Sequence, residues 1–348
     1  MNTHAPVVAP PPGVARLMAL LLPTALAMFA MFQGIQQILV PVQVEAVDTQ
    51  SKIANLALLT VLCSVTGVLG LAAGGTASDA ARARPGRPAP WIAGMAGASV
   101  LLSIGLGLQS TLLGIGAFYG ALLFALNFFQ GALLAVTPHR VPENRRSLAS
   151  SIFGVAAPLG ALVGVNLAAL APGECGYALL AIMLAAASTA FVIFAREDAR
   201  SSPAATRDTG QERSGCGLAP VRALLEGFGS RDFSFAFAFR VLMFIAQFSI
   251  NNYLFYILQD HIGVENLPAQ NPRIAAGALN SLRSLATVVA IVIGAWIASR
   301  TGRRKLFAQV YALGMAAAMI VPVLSPTWFG MLIFALLGGL AVSLRQRF

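Results

Sequence analysis

Apolar runs about one bilayer long, separated by short polar or basic stretches, recur from end to end of this chain. A membrane-crossing helix needs about 20 mostly apolar residues. Ten runs meet that length: 17–40, 53–74, 91–108, 112–135, 148–170, 177–195, 233–258, 274–298, 306–324 and 328–344. The pattern predicts an all-α, polytopic membrane protein. Pro23, Pro158 and Pro322 fall inside or near the ends of runs. Bundled neighbours tolerate such breaks, so they do not veto the helices. The first run is too long for a signal-peptide core, and its Pro-rich prefix carries a single Arg16, so it is expected to be a retained helix.

Residues 196–231 interrupt the pattern. They are rich in Arg, Asp, Glu, Ser, Gly and Thr, include Ser201-Ser202-Pro203, and keep no hydrophobic period. A flexible linker is expected there, with a short amphipathic piece near 218–228. It divides the chain into an N-terminal six-helix bundle (1–195) and a C-terminal four-helix bundle (232–348).

Charge then orients the helices. With the N-terminus inside, the inner segments hold 19 Lys and Arg residues and the outer loops only Lys52 and Arg273. That asymmetry places both termini in the cytoplasm and the protein in the plasma (inner) membrane. The composition agrees, with 57% hydrophobic and 10% charged residues and a mean hydropathy of +0.76. A soluble domain could not hide so much apolar surface. The net charge of +10 lies in the gaps between runs without interleaved aromatics, which argues against nucleic acid. Cys63, Cys175 and Cys216 occupy three unrelated contexts, and His4, His139 and His261 are scattered, so neither a redox pair nor a metal site is expected. No nucleotide-binding loop, catalytic Ser/His/Asp set or cofactor motif is present, so neither an enzyme nor an ATP-driven pump is expected.

The loop after the eighth run reads Arg300-Thr301-Gly302-Arg303-Arg304. A weaker copy follows the second run: Gly75-Thr76-Ala77-Ser78-Asp79, then Arg82-Ala83-Arg84-Pro85-Gly86-Arg87. A repeated basic glycine loop implies two related halves in tandem, as in many secondary transporters. With six helices, an inner linker and a second set, the chain resembles the major facilitator superfamily. Its signature loop, Gly-x-x-x-Asp followed by an Arg-x-Gly-Arg core, matches Gly75, Asp79, Arg84, Gly86 and Arg87. Arg82-Ala83-Arg84, Pro90-Trp91 and the stretch Val141 to Arg146 followed by Ala149-Ser150 are most similar to the glycoside–cation symporter and sucrose-transporter branch. Departures are Ala80 and Pro88 at usually basic positions, and Ser299 and Ala295 at the acidic and glycine positions of the second copy. Gly154, Pro158, Gly160 and Gly164 only echo the antiporter signature of helix five, which counts against drug efflux.

Physical reasons for the loop stand apart from the family. Gly75 would let two helices approach closely, Asp79 can pair with an Arg or face the positive end of a helix, and the arginines suit a surface near anionic headgroups. The resemblance implies a conformational latch made of Gly75, Asp79, Arg82, Arg84, Gly86 and Arg87 with Arg300, Gly302, Arg303 and Arg304. The alternative is that the arginines only set topology.

Polar residues inside the runs are costly and usually face a bundle interior or a wet cavity. Helix one carries Gln33, Gln36 and Gln37, and helix four Asn127 and Gln130. Helix seven carries Arg240, Gln247 and Asn251 on one stripe, with Asn252 beside it. Helix eight carries Asn280, Arg283 and Thr287. The resemblance implies that helices one, four and seven line a central cavity, making these residues the candidate solute site. Helix–helix hydrogen bonding is the alternative for the amides, and snorkelling for Arg240. No carboxylate lies well inside a run. Glu45, Asp48, Asp260 and Glu265 near the outer mouth are expected to be solvated loop residues, so the coupling ion stays open.

The leading expectation is secondary-active transport of a small polar solute, a sugar or glycoside first, by alternating access. The competing expectations are an efflux carrier of the same superfamily and a non-transporting remnant or scaffold. The second half holds four helices where repeat symmetry expects six, so an incomplete carrier is also expected.

Overall fold

The computed structural model describes residues 12–80, 89–140, 146–171, 173–197, 231–301 and 304–345. Of Asp79, Arg300 and Arg304 it describes the backbone alone. Arg82, Arg84, Gly86, Arg87, Gly302 and Arg303 lie outside the described residues, as does the linker core 198–230.

All ten runs are helices. We number them α1 to α10. The first is composite: an α-helix at Pro12–Gly34, a π-turn at Ile35–Leu39 and an α-helical end at Val40–Val47. Then follow α2 (Lys52–Ala80), α3 (Ala89–Gly107), α4 (Leu112–Arg140), α5 (Arg146–Leu170) and α6 (Glu174–Glu197). After the linker come α7 (Arg231–Tyr256), prolonged by a π-turn at Ile257–Gly263, and α8 (Pro272–Thr301), α9 (Arg304–Leu324) and α10 (Trp328–Arg345). Helix is the form that satisfies every backbone group within one segment where water is absent. Eight of the helices are long and apolar enough among their described residues to cross a membrane. Leu313–Leu324 and Trp328–Ala341 are shorter apolar stretches of α9 and α10. Gly173 and Gly263 take positive φ, 64° and 86°, the first in the tight α5–α6 turn and the second where α7 stops.

The packing repeats between the halves. α2 lies along α4 and α3 along α4, and in the same way α8 lies along α10 and α9 along α10. α1 is flanked by α5 and α6, and α5 meets α8 across the halves. Small residues allow these approaches, as expected where lipid gives no hydrophobic drive for helix association. A Cβ added to Gly70 or Gly74 would strike the carbonyls of Phe124 or Phe128 in α4, and one on Gly131 would come 2.7 Å from the Leu71 carbonyl. On the α1–α5 seam, a Cβ on Gly34 would lie 2.6 Å from the Gly164 carbonyl, and one on Gly164 would overlap the Ala30 backbone. This corrects the expectation for Gly75: a Cβ there meets nothing within 4 Å. The close approach belongs to Gly70 and Gly74, one turn apart on the face that meets α4. Gly75, one residue further on, points away from it.

Candidate functional site

A cavity of about 510 Å³ lies between the two sets of helices, lined from α1, α2, α4, α5, α7 and α8. That size suits a small metabolite. On α1 the lining stripe is Phe29, Phe32, Gln33 and Gln36, at helical spacings that share one face. On α7 the stripe is Phe244, Gln247, Phe248 and Asn251, with the same spacing. α4 adds Asn127 and Gln130, α2 adds Ser64, and α8 adds Arg283, Ser284 and Thr287. Asn127 fits because Gly67 of α2 faces it: a Cβ on Gly67 would sit 3.0 Å from Asn127 Nδ2. The same amide nitrogen donates to the Leu123 carbonyl at 2.8 Å, which fixes the side chain against its own helix.

Seven of the ten candidate solute residues therefore line one cavity: Gln33, Gln36, Asn127, Gln130, Gln247, Asn251 and Arg283. Three do not. Gln37 falls at the edge of the α1 stripe, is buried, and donates through Nε2 to Gln33 Oε1 at 2.7 Å. Asn280 is also buried, behind Arg283, where its Nδ2 donates to the Ala161 carbonyl of α5 at 2.8 Å. Arg240 is exposed about one turn before Phe244, with its guanidinium 4.9 Å from that ring centroid. Its cation rests on the ring of the lining residue Phe244 without itself lining the cavity. The four phenylalanines were missed because Phe in an apolar run reads as lipid-facing. Their i, i+3 and i+4 spacing from the amides is the signal that would have found them.

Among the described residues lining the cavity, Arg283 is the single ionisable side chain. Its Nη1 donates to Asn251 Oδ1, and its Nη2 to Asn280 Oδ1 at 3.3 Å. Thr287, one turn on, donates to the carbonyls of Arg283 (2.8 Å) and of Gly339 in α10 (3.0 Å).

At the end of α1 and α7 beyond the cavity, the halves are tied together. Lys52 Nζ donates to Glu45 Oε1 at 2.8 Å and reaches both Asp260 oxygens at 3.0 Å. It also lies 4.9 Å from the Tyr256 ring centroid. Gln259 Nε2 donates to the same Glu45 oxygen at 2.7 Å, and the Tyr256 hydroxyl to the Pro41 carbonyl at 2.8 Å. Deeper in the seam, Asn166 of α5 donates to Ser281 Oγ at 2.7 Å. Glu45 and Asp260 are thus not simply solvated loop residues. They share one largely buried lysine, drawn from positions 7 and 208 residues away in the chain. Asp48 keeps a local role. The Ser51 N–H above all, with help from Asn55 and the Gln50 N–H, holds its carboxyl below the usual range and caps the turn into α2. No His, Cys, Asp and Glu group arranged to hold a metal occurs among the described residues.

The sequence profile of the Major Facilitator Superfamily matches residues 17–346. No match is found among curated protein sequences. Among solved structures, a D-xylose–proton symporter superposes with a TM-score of 0.63 at 13% identity, over 95% of this chain and 80% of that one. A single-substitution mutant of the nucleoside transporter NupG gives 0.64 at 15% identity, over 94% and 80% of the two chains. A bacterial homologue of the human lysosomal transporter Spinster, in an inward-facing, unoccupied conformation, gives 0.58 at 12% identity, over 97% and 75%. At these identities the likeness is one of fold.

Proposed function

This chain belongs to the major facilitator superfamily, a transmembrane transporter and not an enzyme, and we propose that it is a secondary carrier that moves a small polar solute by alternating access. The observation that carries this reading is the cavity itself. Amides from α1, α4 and α7 converge on a space that no single helix set encloses. An amide both donates and accepts, so Gln33, Gln36, Asn127, Gln130, Gln247 and Asn251 match a solute rich in hydroxyls. The phenylalanines of α1 and α7 supply apolar faces for its body. A sugar or glycoside frame is the first choice.

The clamp around Lys52 supports the second half of the reading. A carrier of this kind must close one side of its site while the other is open. Lys52, Glu45, Gln259, Asp260 and Tyr256 join the halves beyond the cavity at the end that positive-inside charge assigns to the outside. This form is therefore read as closed outward. The latch on the opposite side is assigned to Asp79 and the arginines of the two basic loops. Asp79→Asn is expected to slow exchange more than it alters solute affinity.

Uptake by the purified chain in proteoliposomes tests the proposal. Gln33→Ala, Asn127→Ala, Gln247→Ala and Asn251→Ala should each lower uptake about three- to thirtyfold, the worth of one or two lost hydrogen bonds, while leaving membrane insertion intact. Normal transport by all four variants would remove the cavity from the mechanism.

A further inference from the structure

Arg283 raises a question that a neutral cargo leaves unanswered. It lies eleven residues into α8, which starts at Pro272, roughly 16 Å along the helix axis from that end. The other end is further away, so the side chain is too short to snorkel to either surface. The cation therefore stays within the bundle, and arginine does not shed its proton to escape the cost. Charges held at this depth pair with another charge or with carbonyl groups, or face a wet cavity along a substrate or ion path.

Here the partners are neutral. Among the described residues, the groups that Arg283 meets are the amide oxygens of Asn251 and Asn280. The nearest described carboxylate along α7, Asp260, follows Asn251 by nine residues, roughly 13 Å on, and is already engaged by Lys52. Glu45 is engaged by the same lysine. Among the described residues, then, the cavity wall carries one full positive charge and no negative one.

The amides do not neutralise that charge, but they do aim it. Asn280 is pinned by its donation to the Ala161 carbonyl, so its oxygen is held toward Arg283. Asn251 holds the guanidinium from the opposite helix. A guanidinium has five N–H donors in a rigid fork, and these contacts use two. The rest are left for a guest, and a planar fork fits a carboxylate or phosphate through paired hydrogen bonds.

Building on the carrier reading above, we propose that the cargo is a small organic anion: a hydroxylated body bearing one carboxylate or phosphate that pairs with Arg283. The amides of α1, α4 and α7 hold the hydroxyls, and the charge sits at the α8 side of the cavity. The same pairing would make Arg283 a sensor of occupancy. A bound anion shares the guanidinium with Asn251, and Asn251 stands on α7, which carries the Gln259–Asp260 half of the clamp.

The test uses the full chain in detergent and matched probes that share a ring but differ in charge: D-glucuronate and D-glucose 6-phosphate against D-glucose, with a wider set of small acids against their amides. The readout is ligand-induced thermal stabilisation, followed by titration calorimetry. Acids should bind and their neutral partners should not. The carboxylate and phosphate arms decide which anion the fork takes. Arg283→Gln should weaken acid binding roughly a hundredfold, as expected for removing one member of a desolvated ion pair. Arg283→Lys, which keeps the charge but not the fork, should retain part of it. If either variant fails to fold, the wild-type comparison of matched probes still decides. Binding of neutral members with exclusion of acids, or acid binding unchanged in Arg283→Gln, overturns this inference and leaves the carrier reading standing. Binding by neither set overturns both.

Discussion

The first helices of the two halves stand in corresponding places and are covered very differently. Half of α1's apolar window is buried in protein. In the most apolar stretch of α7 none of the described residues is. α1 lies between α5 and α6, with Leu21, Met28 and Met31 wholly enclosed. α7 exposes Phe235, Leu242 and Ile245, and its closely packed part is its last turns, where Leu254, Phe255 and Tyr256 are buried beside the clamp. Both helices nonetheless supply the same kind of stripe to the cavity. A solute-facing stripe therefore does not require a fully enclosed helix. α1 is a fixed post of the first bundle. α7 is gripped mainly at its clamp end, so the Phe244–Asn251 stripe is joined to events at Asp260 more directly than to the rest of its own half.

The largest expected effect comes from breaking the enclosed side of this comparison. Gly164→Leu would force a side chain into the Ala30 backbone, which a helix axis can relieve only by moving. A loss of about 3 kcal/mol or more is expected, read as a fall in melting temperature and in monodisperse protein on size exclusion. A normal elution profile and melting temperature would mean that the α1–α5 seam yields, and that α1 is no more fixed than α7.

Next in size is the tie itself. Lys52→Met keeps the length of the side chain but leaves Glu45 with Gln259 alone. Breaking a buried pair costs several kcal/mol, and Asp260, 46% exposed, recovers part by hydration. About 2 kcal/mol, roughly thirtyfold in the population of the outward-closed form, is expected. In a background with Cys63, Cys175 and Cys216 replaced by serine, Ser64→Cys should then react faster with an impermeant thiol reagent added outside. Unchanged labelling would show that something other than Lys52 holds this end shut.

The smallest effect is expected on the uncovered side. Phe235 is 74% exposed, and Phe235→Leu should alter melting temperature by no more than about 0.5 kcal/mol would. A large loss would reveal that this face of α7 is covered in the membrane after all.

The helices were legible in the sequence because each had to be one bilayer long and apolar, and that constraint leaves few alternatives. The cavity amides were legible for the same reason, since Gln33, Asn127 and Gln247 have no cheap place in lipid. What escaped was whatever depended on the far ends of the chain meeting. Glu45, Lys52 and Asp260 each look like ordinary boundary charges until α1, α2 and α7 bring them together. Asn280 and Arg283 share a stripe, yet one turns toward Ala161 and the other toward the cavity, a choice made by α5 and not by α8. Periodicity also assumed unbroken α-helix. It stopped α1 at residue 40, whereas the helix runs through a π-turn to Val47.

That π-turn has a consequence for how this chain tolerates insertion and deletion. A π-turn accommodates one residue more than the α-helix it interrupts, and Ile35–Leu39 holds Gln36 of the amide stripe and precedes the residues of the clamp. Removing one apolar residue there would let regular helix close the gap while the segments on either side keep their facing. Removing one from the regular helix that follows would instead turn everything after it by about 100°. In the first case Gln33 would still face the cavity, and Glu45 and the Pro41 carbonyl would still meet Lys52 and Tyr256. In the second, a loss after Pro41 would swing Glu45 off that line. Ile35, Ile38 and Leu39 can vary among apolar residues of similar size, whereas Gln36 lines the cavity and Gln37 supports Gln33. The loss of a single codon is therefore absorbed within the π-turn, while the same loss in the regular helix between it and Glu45 would uncouple the solute site from its outer closure.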